Sequence, residues 1–411
     1  MPDLRLWPRP ILLCLFGVLG VAGCTQTSAP EADAVSARVD SVAPRDIDAA
    51  ALDDEAAGAA APNVGAGPSA QPVYRQFRDV VVACDNVRHC AAIGVTHAAS
   101  GLVLSLARDA GATGAQHLVL RAPWGKFDAT ALRLDGAPAP EIVALPWRHE
   151  GGEAGEWEAL HLEDPAAIAH FIDLVRDGAH LDAGADRRVS LAGLSAALLY
   201  IDDHQQRLDT AGAWLRRGER ADTGVPAAPS LPVLPPAPPA PPALDPARGE
   251  RLARQARATQ TAVLDAQECE PAGGAYDVAR LDTVTALDDT HALVLLACFA
   301  GAYQHSSLAF RAALDGRRIE PLVLPGPPMR EDSMQHGDFD LLTSPGYDPD
   351  TGTLGIYARG RGIGDCGFSA EWRFDGQAFA LARFVEMDQC GGLMPDHWPV
   401  LWRVADASAT P

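Results

Sequence analysis

Six of the eight cysteines fall into three couples that are close in sequence, and this pattern constrains the fold more than any other feature. They are Cys84, Cys90, Cys269, Cys298, Cys366 and Cys390. The other two, Cys14 and Cys24, lie at the N-terminus. An even number of cysteines in an oxidising compartment indicates a disulfide framework. Among the possible pairings, the local one joins Cys84 to Cys90, Cys269 to Cys298 and Cys366 to Cys390. A metal site is not expected, because the tight C-x2-C spacings of zinc sites do not occur.

The first couple lies in the stretch VVVACDNVRHCAAIGV, residues 80–95. Its apolar flanks predict two strands, and Asp85 and Asn86 are residues that favour the turn between them. In such a hairpin Cys84 and Cys90 can lie opposite one another at a distance that suits a disulfide. Since no C-x-x-C motif is present, we expect a structural bond and not a redox-active one.

The N-terminus indicates the compartment. Residues 1–23 have the form of a lipoprotein signal peptide, in which Arg5 and Arg9 precede an apolar run too short to span a bilayer. The ending LGVAGC resembles the bacterial lipobox, where cleavage precedes a cysteine that receives lipid. We therefore expect Cys24 to anchor the protein to the outer membrane, facing the periplasm. An ordinary signal peptide cleaved nearby is the alternative.

Two shifts in composition divide the mature chain. Residues 24–72 are rich in alanine, proline, glycine and acidic residues, so we expect a disordered tether. Residues 223–247 are rich in proline and predict a semi-rigid linker, with a ligand for proline-binding modules as the alternative. These segments delimit an N-terminal domain, 73–222, and a C-terminal domain, 248–406.

The first domain is predicted to begin with strands and to end with helices. Further strands are expected in Gly101–Leu106 and His117–Leu120. Asp164 and Pro165 predict the start of a helix, as N-cap and first-turn residues, and Gly178 its end. This order of elements suits an α+β domain.

The second domain is predicted to open with a helix over Glu250–Ala266 and to be mostly antiparallel β afterwards. Asp375-Gly376 predicts a two-residue hairpin turn. The fold class is therefore α+β, with two small disulfide-stapled domains joined by the proline-rich linker.

A glycine-rich motif lies just before that hairpin. Residues 362–367, GIGDCG, satisfy G-x-G-x-x-G, but a dinucleotide site needs a helix after the glycines and the sequence predicts a strand. We interpret the motif as a tight loop that shapes the approach to Cys366, and no cofactor is expected. The alternative is a weak anion-binding nest that uses Arg359 and Arg361.

A serine follows the pattern of a nucleophile elbow. The strand that begins at Arg188 leads through Gly193 into a helix, and Ser195 lies where G-x-S-x-G would place a nucleophile. Position 197 is alanine instead of glycine, and no oxyanion segment precedes it. We therefore interpret Ser195 as a helix N-cap. The alternative is a serine hydrolase in which the nearby His204 takes part.

Two aspartates form a second candidate site. Asp348 and Asp350 stand one residue apart, a spacing that calcium loops use. The bidentate glutamate of a full calcium loop is missing, and the same residues form ordinary turns. A calcium-binding module at these aspartates is therefore only an alternative hypothesis.

Three blocks of sequence carry a family resemblance. They are FRDVVVACDNVRHCAAIG, VSLAGLSAALLYIDDHQQRLDTAGAWLRRG, and ARGRGIGDCG with the later WPVLWR. In these blocks the chain resembles the bacterial family called domain of unknown function 1176. The first domain is also faintly similar to the invasion-associated locus B proteins, through its cysteine hairpin and its strand-to-helix turn. The resemblance implies an envelope location and no established activity, so no catalytic residues can be carried over from it.

The function expected from these observations is that of a non-enzymatic envelope lipoprotein that binds a protein or glycan partner. The formal charge of −21 argues against nucleic acid as a partner. The membrane is expected to be contacted through the N-terminal lipid alone, because no second apolar run is long enough to span a bilayer.

Overall fold

A computed structural model describes six segments of the chain: 69–96, 101–122, 127–152, 157–184, 187–273 and 277–405. All of them belong to one compact unit that spans 59–411. Cys24, the predicted signal peptide 1–23 and the predicted tether up to residue 68 lie outside the described residues. In the segments that are described, no helix has the length and apolarity needed to cross a membrane.

The N-terminal half combines two sheets with three helices. Its strands are β1 (Val73–Phe77), β2 (Val80–Cys84), β3 (Cys90–Gly94), β4 (Val103–Arg108), β5 (Gln116–Ala122), β6 (Leu132–Leu134), β7 (Ala137–Pro138), β8 (Arg148–Gly151), β9 (Glu158–Leu162), β10 (His180–Ala183) and β11 (Arg188–Ser190). Its helices are α1 (Pro140–Val143), α2 (Pro165–Val175) and α3 (Leu194–His204).

A seven-stranded antiparallel sheet, in the order β1-β2-β3-β4-β5-β9-β8, forms the centre of this half. A smaller sheet has the order β11-β10-β6-β7. One face of the large sheet packs on the small sheet and on α2 and α3, and the apolar stripe of α2, including Phe171 and Ile172, is fully buried there. The predicted start of α2 is confirmed, because the Asp164 side chain accepts a hydrogen bond from the N–H of Ala167.

The C-terminal half is mostly β. Its helices are α4 (Pro246–Thr259) and α5 (Thr261–Ala266). Its strands are β12 (Thr283–Ala286), β13 (His291–Ala300), β14 (His305–Ala313), β15 (Ile319–Pro321), β16 (Leu341–Thr343), β17 (Gly346–Asp348), β18 (Thr353–Arg359), β19 (Gly367–Phe374), β20 (Phe379–Met387) and β21 (Val400–Arg403).

These strands form two antiparallel five-stranded sheets, β12 to β16 and β17 to β21. The predicted helix over 250–266 begins earlier, at Pro246, and is divided at Gln260. The hairpin predicted at Asp375 is present, but its connection is four residues long, because Phe374 and Phe379 form the last pair of the ladder. Asp375 accepts two backbone hydrogen bonds inside the loop, and this Asx arrangement favours the longer turn.

The two halves share hydrophobic cores. On the second face of the large sheet, Tyr74 and Val81 belong to the same buried cluster as Trp372 and Phe384 of the β17–β21 sheet. Farther along the same face, strands β3 and β4 pack against Met387 and its neighbours. The predicted layout of two separate domains, 73–222 and 248–406, is therefore not confirmed, although each sheet is formed within one of these segments.

The outer edge of β1 is covered by the C-terminal half. The N–H of Tyr74 donates to Oγ of Ser333 at 2.6 Å, and its carbonyl accepts from the N–H of Met334 at 3.0 Å. The N–H of Arg330 donates to the carbonyl of Pro72 at 2.9 Å. An edge strand with free polar groups can pair with other chains, and residues 330–334 remove that possibility here.

The proline-rich segment 223–247 lies against the rest of the protein. Val225 and Leu234 are buried, and Val233 forms a parallel bridge with Ala405. The N–H of Ala405 donates to the carbonyl of Pro232 at 2.8 Å. The segment thus follows the surface as an extended strap, and it is not a free spacer between two bodies.

A fully buried ion pair connects the large sheet to α3. Nη2 of Arg108 on β4 donates to Oδ1 of Asp202 at 2.8 Å, and the guanidinium lies 4.1 Å from the centre of the Trp214 ring. Asp202 also accepts the backbone N–H groups of Trp214 and Leu215. Gln205 accepts from Nε of Arg108 at 2.8 Å, so both charges have several partners.

We predict that Asp202→Asn lowers the free energy of unfolding by about 3 kcal/mol, because it leaves the buried guanidinium without its counter-ion. Asp203→Asn is the matched control, since Asp203 is the next residue of α3 and is exposed. That control should change the stability by less than about 0.5 kcal/mol. Urea denaturation of the two variants measures both values, and equal effects would contradict a special role for the ion pair.

Candidate functional site

A cleft beside the first disulfide hairpin is lined by six charged or titratable side chains. It has a volume of about 340 Å³ and lies between strands β2–β4 and residues 396–403; we call it the hairpin cleft. Four small residues and one isoleucine of the sheet form its floor: Ala83, Ala91, Ile93, Ser105 and Ala107. The charged or titratable residues that line it are Asp85, His89, Asp109, Asp396, His397 and Arg403.

Asp85 is the buried member of this group. Its Oδ1 accepts hydrogen bonds from the N–H groups of Val87 and His89, at 2.9 and 2.8 Å. Its Oδ2 lies 2.7 Å from Nη2 of Arg403. Burial raises the pKa of the Asp85 carboxyl, while the nearby guanidinium of Arg403 lowers it, and the net direction is upward. Asp85 thus shapes the turn and also places a carboxyl beside the cleft.

Asn86 joins the same turn to the end of the chain. Its Nδ2 donates to the carbonyl of Arg403 at 2.9 Å, and its Oδ1 accepts the N–H of Arg403 at 3.1 Å. The side-chain amide therefore continues the ladder at the edge of β21. These two hydrogen bonds form a clamp between Asn86 and Arg403. Together with the ion pair between Asp85 and Arg403, the clamp holds the hairpin wall of the cleft against the wall formed by residues 396–403.

His89 and Asp109 form an accessible pair at the rim. Nδ1 of His89 lies 2.6 Å from Oδ1 of Asp109, and the two side chains are 32% and 51% exposed. The exposure leaves both groups available to a ligand. Asp396 and His397 are exposed on the opposite rim.

The structure does not bring Ser195 together with a base. The N-cap of α3 is Gly193 at φ 96°, so the prediction that Ser195 is the N-cap is wrong. Ser195 lies in the first turn, and its Oγ donates to the carbonyl of Arg176 at 2.9 Å. His204 is the last residue of α3, about 14 Å away along the helix axis at 1.5 Å per residue.

Gly193 explains why the elbow pattern occurs here without its chemistry. A Cβ on Gly193 would lie 1.8 Å from the carbonyl oxygen of Phe77, and the positive φ also requires glycine. The tight strand-to-helix turn therefore allows α3 to pack closely on the β1–β2 connection.

The carboxylate of Asp348, one of the two candidate calcium ligands, is used within a turn. Oδ1 of Asp348 accepts the N–H of Asp350 at 3.0 Å, and its Oδ2 accepts Oγ1 of Thr351 at 2.8 Å. Within the described segments, neither aspartate belongs to a group of three or more possible metal ligands. The geometry thus gives the calcium hypothesis no support.

The two arginines of the predicted weak anion site already contact other side chains of the protein. Nε of Arg361 donates to Oδ1 of the buried Asp365 at 2.6 Å. The guanidinium of Arg359 lies over the ring of Tyr357, 5.2 Å from its centre. Strand β19 follows the glycine motif, as predicted, and its first residue, Gly367, has no room for a Cβ beside the carbonyl oxygen of Ala358. This arrangement agrees with a tight structural loop.

The structure contains the three expected disulfides. Cys84 pairs with Cys90, Cys269 with Cys298 and Cys366 with Cys390. Cys84 and Cys90 are direct partners in the β2–β3 ladder, so the predicted hairpin is confirmed.

The turn at Asp85 and Asn86 is predictable from the sequence, but the cleft around these residues is not. Asn86 and Arg403 are 317 residues apart, and no local pattern connects them. The block WPVLWR, which carries part of the family resemblance, ends at Arg403. It is the one sequence signal that points to this wall of the cleft.

Comparison with known proteins assigns the family. Residues 74–405 match the family described as "Protein of unknown function (DUF1176)". The chain belongs to this family. It is also 32% identical over 356 residues to the "Uncharacterized protein YpfG" of Escherichia coli (strain K12). The aligned region covers 81% of this chain and 93% of that protein. No solved structure is a significant match.

The predicted family membership is therefore confirmed, whereas the similarity to invasion-associated locus B proteins stays a prediction. The matched DUF1176 region begins in β1 and ends just after β21. It includes the hairpin, the cleft and all three disulfides.

We predict that Asp85→Asn changes the dependence of stability on pH. Because the folded pKa of Asp85 is raised, its contribution to stability is fully present below the unfolded pKa of about 4 and is lost as the pH rises through the folded pKa. The free energy of unfolding of the wild type, relative to the variant, should therefore increase as the pH falls from 7 to 4.

Urea denaturation at both pH values provides the measurement. Asp315→Asn, at an exposed turn, is the control for general charge effects. A wild-type advantage that is larger at pH 7 than at pH 4 would mean that the pairing with Arg403 outweighs the burial of Asp85.

Proposed function

We propose that this protein is a non-enzymatic lipoprotein of the bacterial envelope, which binds a partner protein through the hairpin cleft. The partner is expected to present a cationic segment. The observation that carries this proposal is the excess of carboxylates in the cleft, where Asp85, Asp109 and Asp396 face a single guanidinium, that of Arg403. Among the described lining residues, three carboxylates and one guanidinium leave a net charge of −2 when all three carboxylates are ionised and the histidines are neutral.

Electrostatics supports a cationic ligand. The cleft is small and has an apolar floor, and such walls strengthen the attraction between its carboxylates and an incoming positive group. The formal charge of the whole chain, −21, adds long-range attraction of the same sign. A lysine or arginine side chain matches both the charge and the size of the cleft.

The aromatic side chains of the cleft favour a protein over a glycan. Sugar rings commonly stack on exposed aromatic faces, but Trp398, which lines the cleft, is 3% exposed. Its indole N–H donates to the carbonyl of Leu393 at 2.7 Å and is thus already used. Among the described lining residues, a glycan would find polar groups and imidazoles on the rim but no exposed indole, phenol or phenyl face on which to stack.

The alternative functions have weaker support. A serine hydrolase would require a base within hydrogen-bond distance of Ser195, whose hydroxyl donates to a backbone carbonyl. A calcium module would require carboxylate oxygens that are free to coordinate, and both oxygens of Asp348 accept hydrogen bonds within its turn.

The envelope location is supported by the N-terminal sequence and by the disulfides. The lipobox-like ending places a cysteine at position 24. Three disulfides suit an oxidising compartment. A lipid on Cys24 and the long segment after it would hold the folded part near a membrane surface.

Site-specific photo-crosslinking in cells tests the proposed binding. A crosslinker at Ala107, on the cleft floor, should capture a partner protein, whereas one at the exposed Ala196 on α3 should not. With the purified partner, Asp109→Asn/Asp396→Asn should weaken binding by at least about tenfold, because one tenfold step corresponds to only 1.4 kcal/mol. Binding should also weaken as the salt concentration rises.

The control is Asp203→Asn/Asp265→Asn, which removes the same net charge at exposed positions outside the cleft. It should leave the affinity within about twofold of the wild type, because screened surface charges contribute little. Equal losses in both double variants would show non-specific attraction to an acidic protein. Salt-independent binding would also contradict the proposal.

We predict that Cys24→Ala abolishes metabolic labelling by radioactive palmitate and moves the protein from the membrane fraction to the soluble periplasmic fraction. The reason is that several acyl chains provide the anchoring energy, and the cysteine is their attachment point. Cys14→Ala, within the predicted signal peptide, is the control and should leave the distribution unchanged. Membrane association that survives Cys24→Ala would contradict lipid anchoring.

A further inference from the structure

A histidine lies beside the first disulfide, on the side of the hairpin that faces the core. The two sulfur atoms of Cys84 and Cys90 and one ring nitrogen of His204 all lie within 4.8 Å of one another. Nε2 of His204 is buried and has no hydrogen-bond partner among the described residues. A buried nitrogen of this kind ordinarily has a partner, so its position next to two sulfurs needs an explanation.

The ring of His204 is held in place from two directions. It stacks on Tyr200 of the same helix, with 6.2 Å between the ring centres and 9° between the planes. Its Nδ1 lies 3.3 Å from Nη1 of Arg330, which belongs to the segment that covers the edge of β1. The imidazole is therefore oriented by both halves of the protein.

A second group of possible ligands lies at the third disulfide, but its ligand other than sulfur already has hydrogen-bond partners. It contains Asp365, Cys366 and Cys390. Asp365 is already held by Arg361 and by the N–H of Gly392. Among the described residues, only the group at the first hairpin combines two sulfurs with a nitrogen that has no hydrogen-bond partner.

We propose that Cys84, Cys90 and His204 form a site for a soft monovalent metal ion, Cu(I), when the disulfide is opened by a dithiol reductant. Two electrons and two protons from the dithiol convert the disulfide into two thiols, and the dithiol becomes a cyclic disulfide. Binding of one Cu(I) ion then displaces the two thiol protons to solvent and forms two Cu–S bonds. Nε2 of His204 supplies the third ligand.

The ligand types favour Cu(I). Thiolate and imidazole ligands suit soft ions, and three ligands suffice for Cu(I), whereas a structural zinc site takes four. In the described segments the group contains three ligands and no fourth.

The surrounding charges favour a monovalent ion. Arg75 and Arg330 both pair with Asp332, at 2.9 and 2.5 Å, so this trio carries one net positive charge on the His204 side of the site. Two further charges that act on His204, those of Arg88 and Asp203, cancel one another. Two thiolates, one Cu(I) and this single positive charge sum to zero. A divalent ion would leave an uncompensated charge in a buried site, which is costly.

Ligation has one local requirement. When Nε2 binds the metal, the ring proton resides on Nδ1, so the contact between Nδ1 and Arg330 must open. That contact is long, at 3.3 Å, and Arg330 retains its bonds to Asp332.

Titration of the reduced mature protein with Cu(I), in competition with a chromophoric Cu(I) chelator, tests the proposal. The wild type should bind one more tight equivalent than Cys84→Ser/Cys90→Ser. Cys366→Ser/Cys390→Ser, the matched removal of another disulfide, should retain that equivalent. His204→Asn should weaken it by at least about tenfold, the effect expected from loss of a ligand or its support.

X-ray absorption spectroscopy should show two sulfur neighbours and one nitrogen neighbour in the wild type and no nitrogen in His204→Asn. This readout separates ligation from a structural role, because misfolding would not exchange one neighbour selectively. Unchanged Cu(I) affinity in His204→Asn, or loss of the equivalent in Cys366→Ser/Cys390→Ser but not in Cys84→Ser/Cys90→Ser, would overturn the proposal. Equally tight binding of Zn²⁺ would overturn the choice of a monovalent ion.

Discussion

The buried pair of Arg108 and Asp202 is the interaction on which the arrangement of the N-terminal half depends. Two charges without exposure to water must be satisfied completely, and here the backbone of residues 212–215, a glutamine and the Trp214 ring provide the partners. The same glutamine, Gln205, donates to the carbonyl of Arg88 in the hairpin turn. One network therefore fixes β4, the end of α3, the chain after it and the turn that borders the cleft.

The hairpin of β2 and β3 has a different role on each face. On one face its disulfide lies in the core beneath α3, close to His204. On the other face its small residues form the floor of the cleft, and Asp85 and Asn86 hold the C-terminal strand across it. Because strand side chains alternate between faces, five residues on each strand can serve both environments. The family assignment leaves the activity open, and this two-faced hairpin is the feature around which both proposals are built.

Local features of the fold were predictable from the sequence, and long-range ones were not. The hairpin at Cys84, the helix start at Asp164 and the strand after the glycine motif follow from patterns within about ten residues. The shared core of Tyr74 with Trp372 and the clamp between Asn86 and Arg403 have no such pattern. The composition of the proline-rich segment predicted a semi-rigid linker, but it could not reveal that Val225 and Leu234 are buried against the rest of the protein. The candidate cleft was unpredictable for the same reason, since its walls come from opposite ends of the sequence.

The segment 330–334, which covers the edge of β1, is made much later than β1 itself. Tyr74 and its partner Ser333 are 259 residues apart, so β1 is synthesised long before the segment that satisfies its edge. At rates of about 5 to 20 residues per second, that interval lasts about 10 to 50 s. During this time the strand edge and the second face of the large sheet are open to solvent and to other chains. Until residues 330–334 join the fold, the outer edge of β1 therefore presents free backbone groups with which other chains can pair.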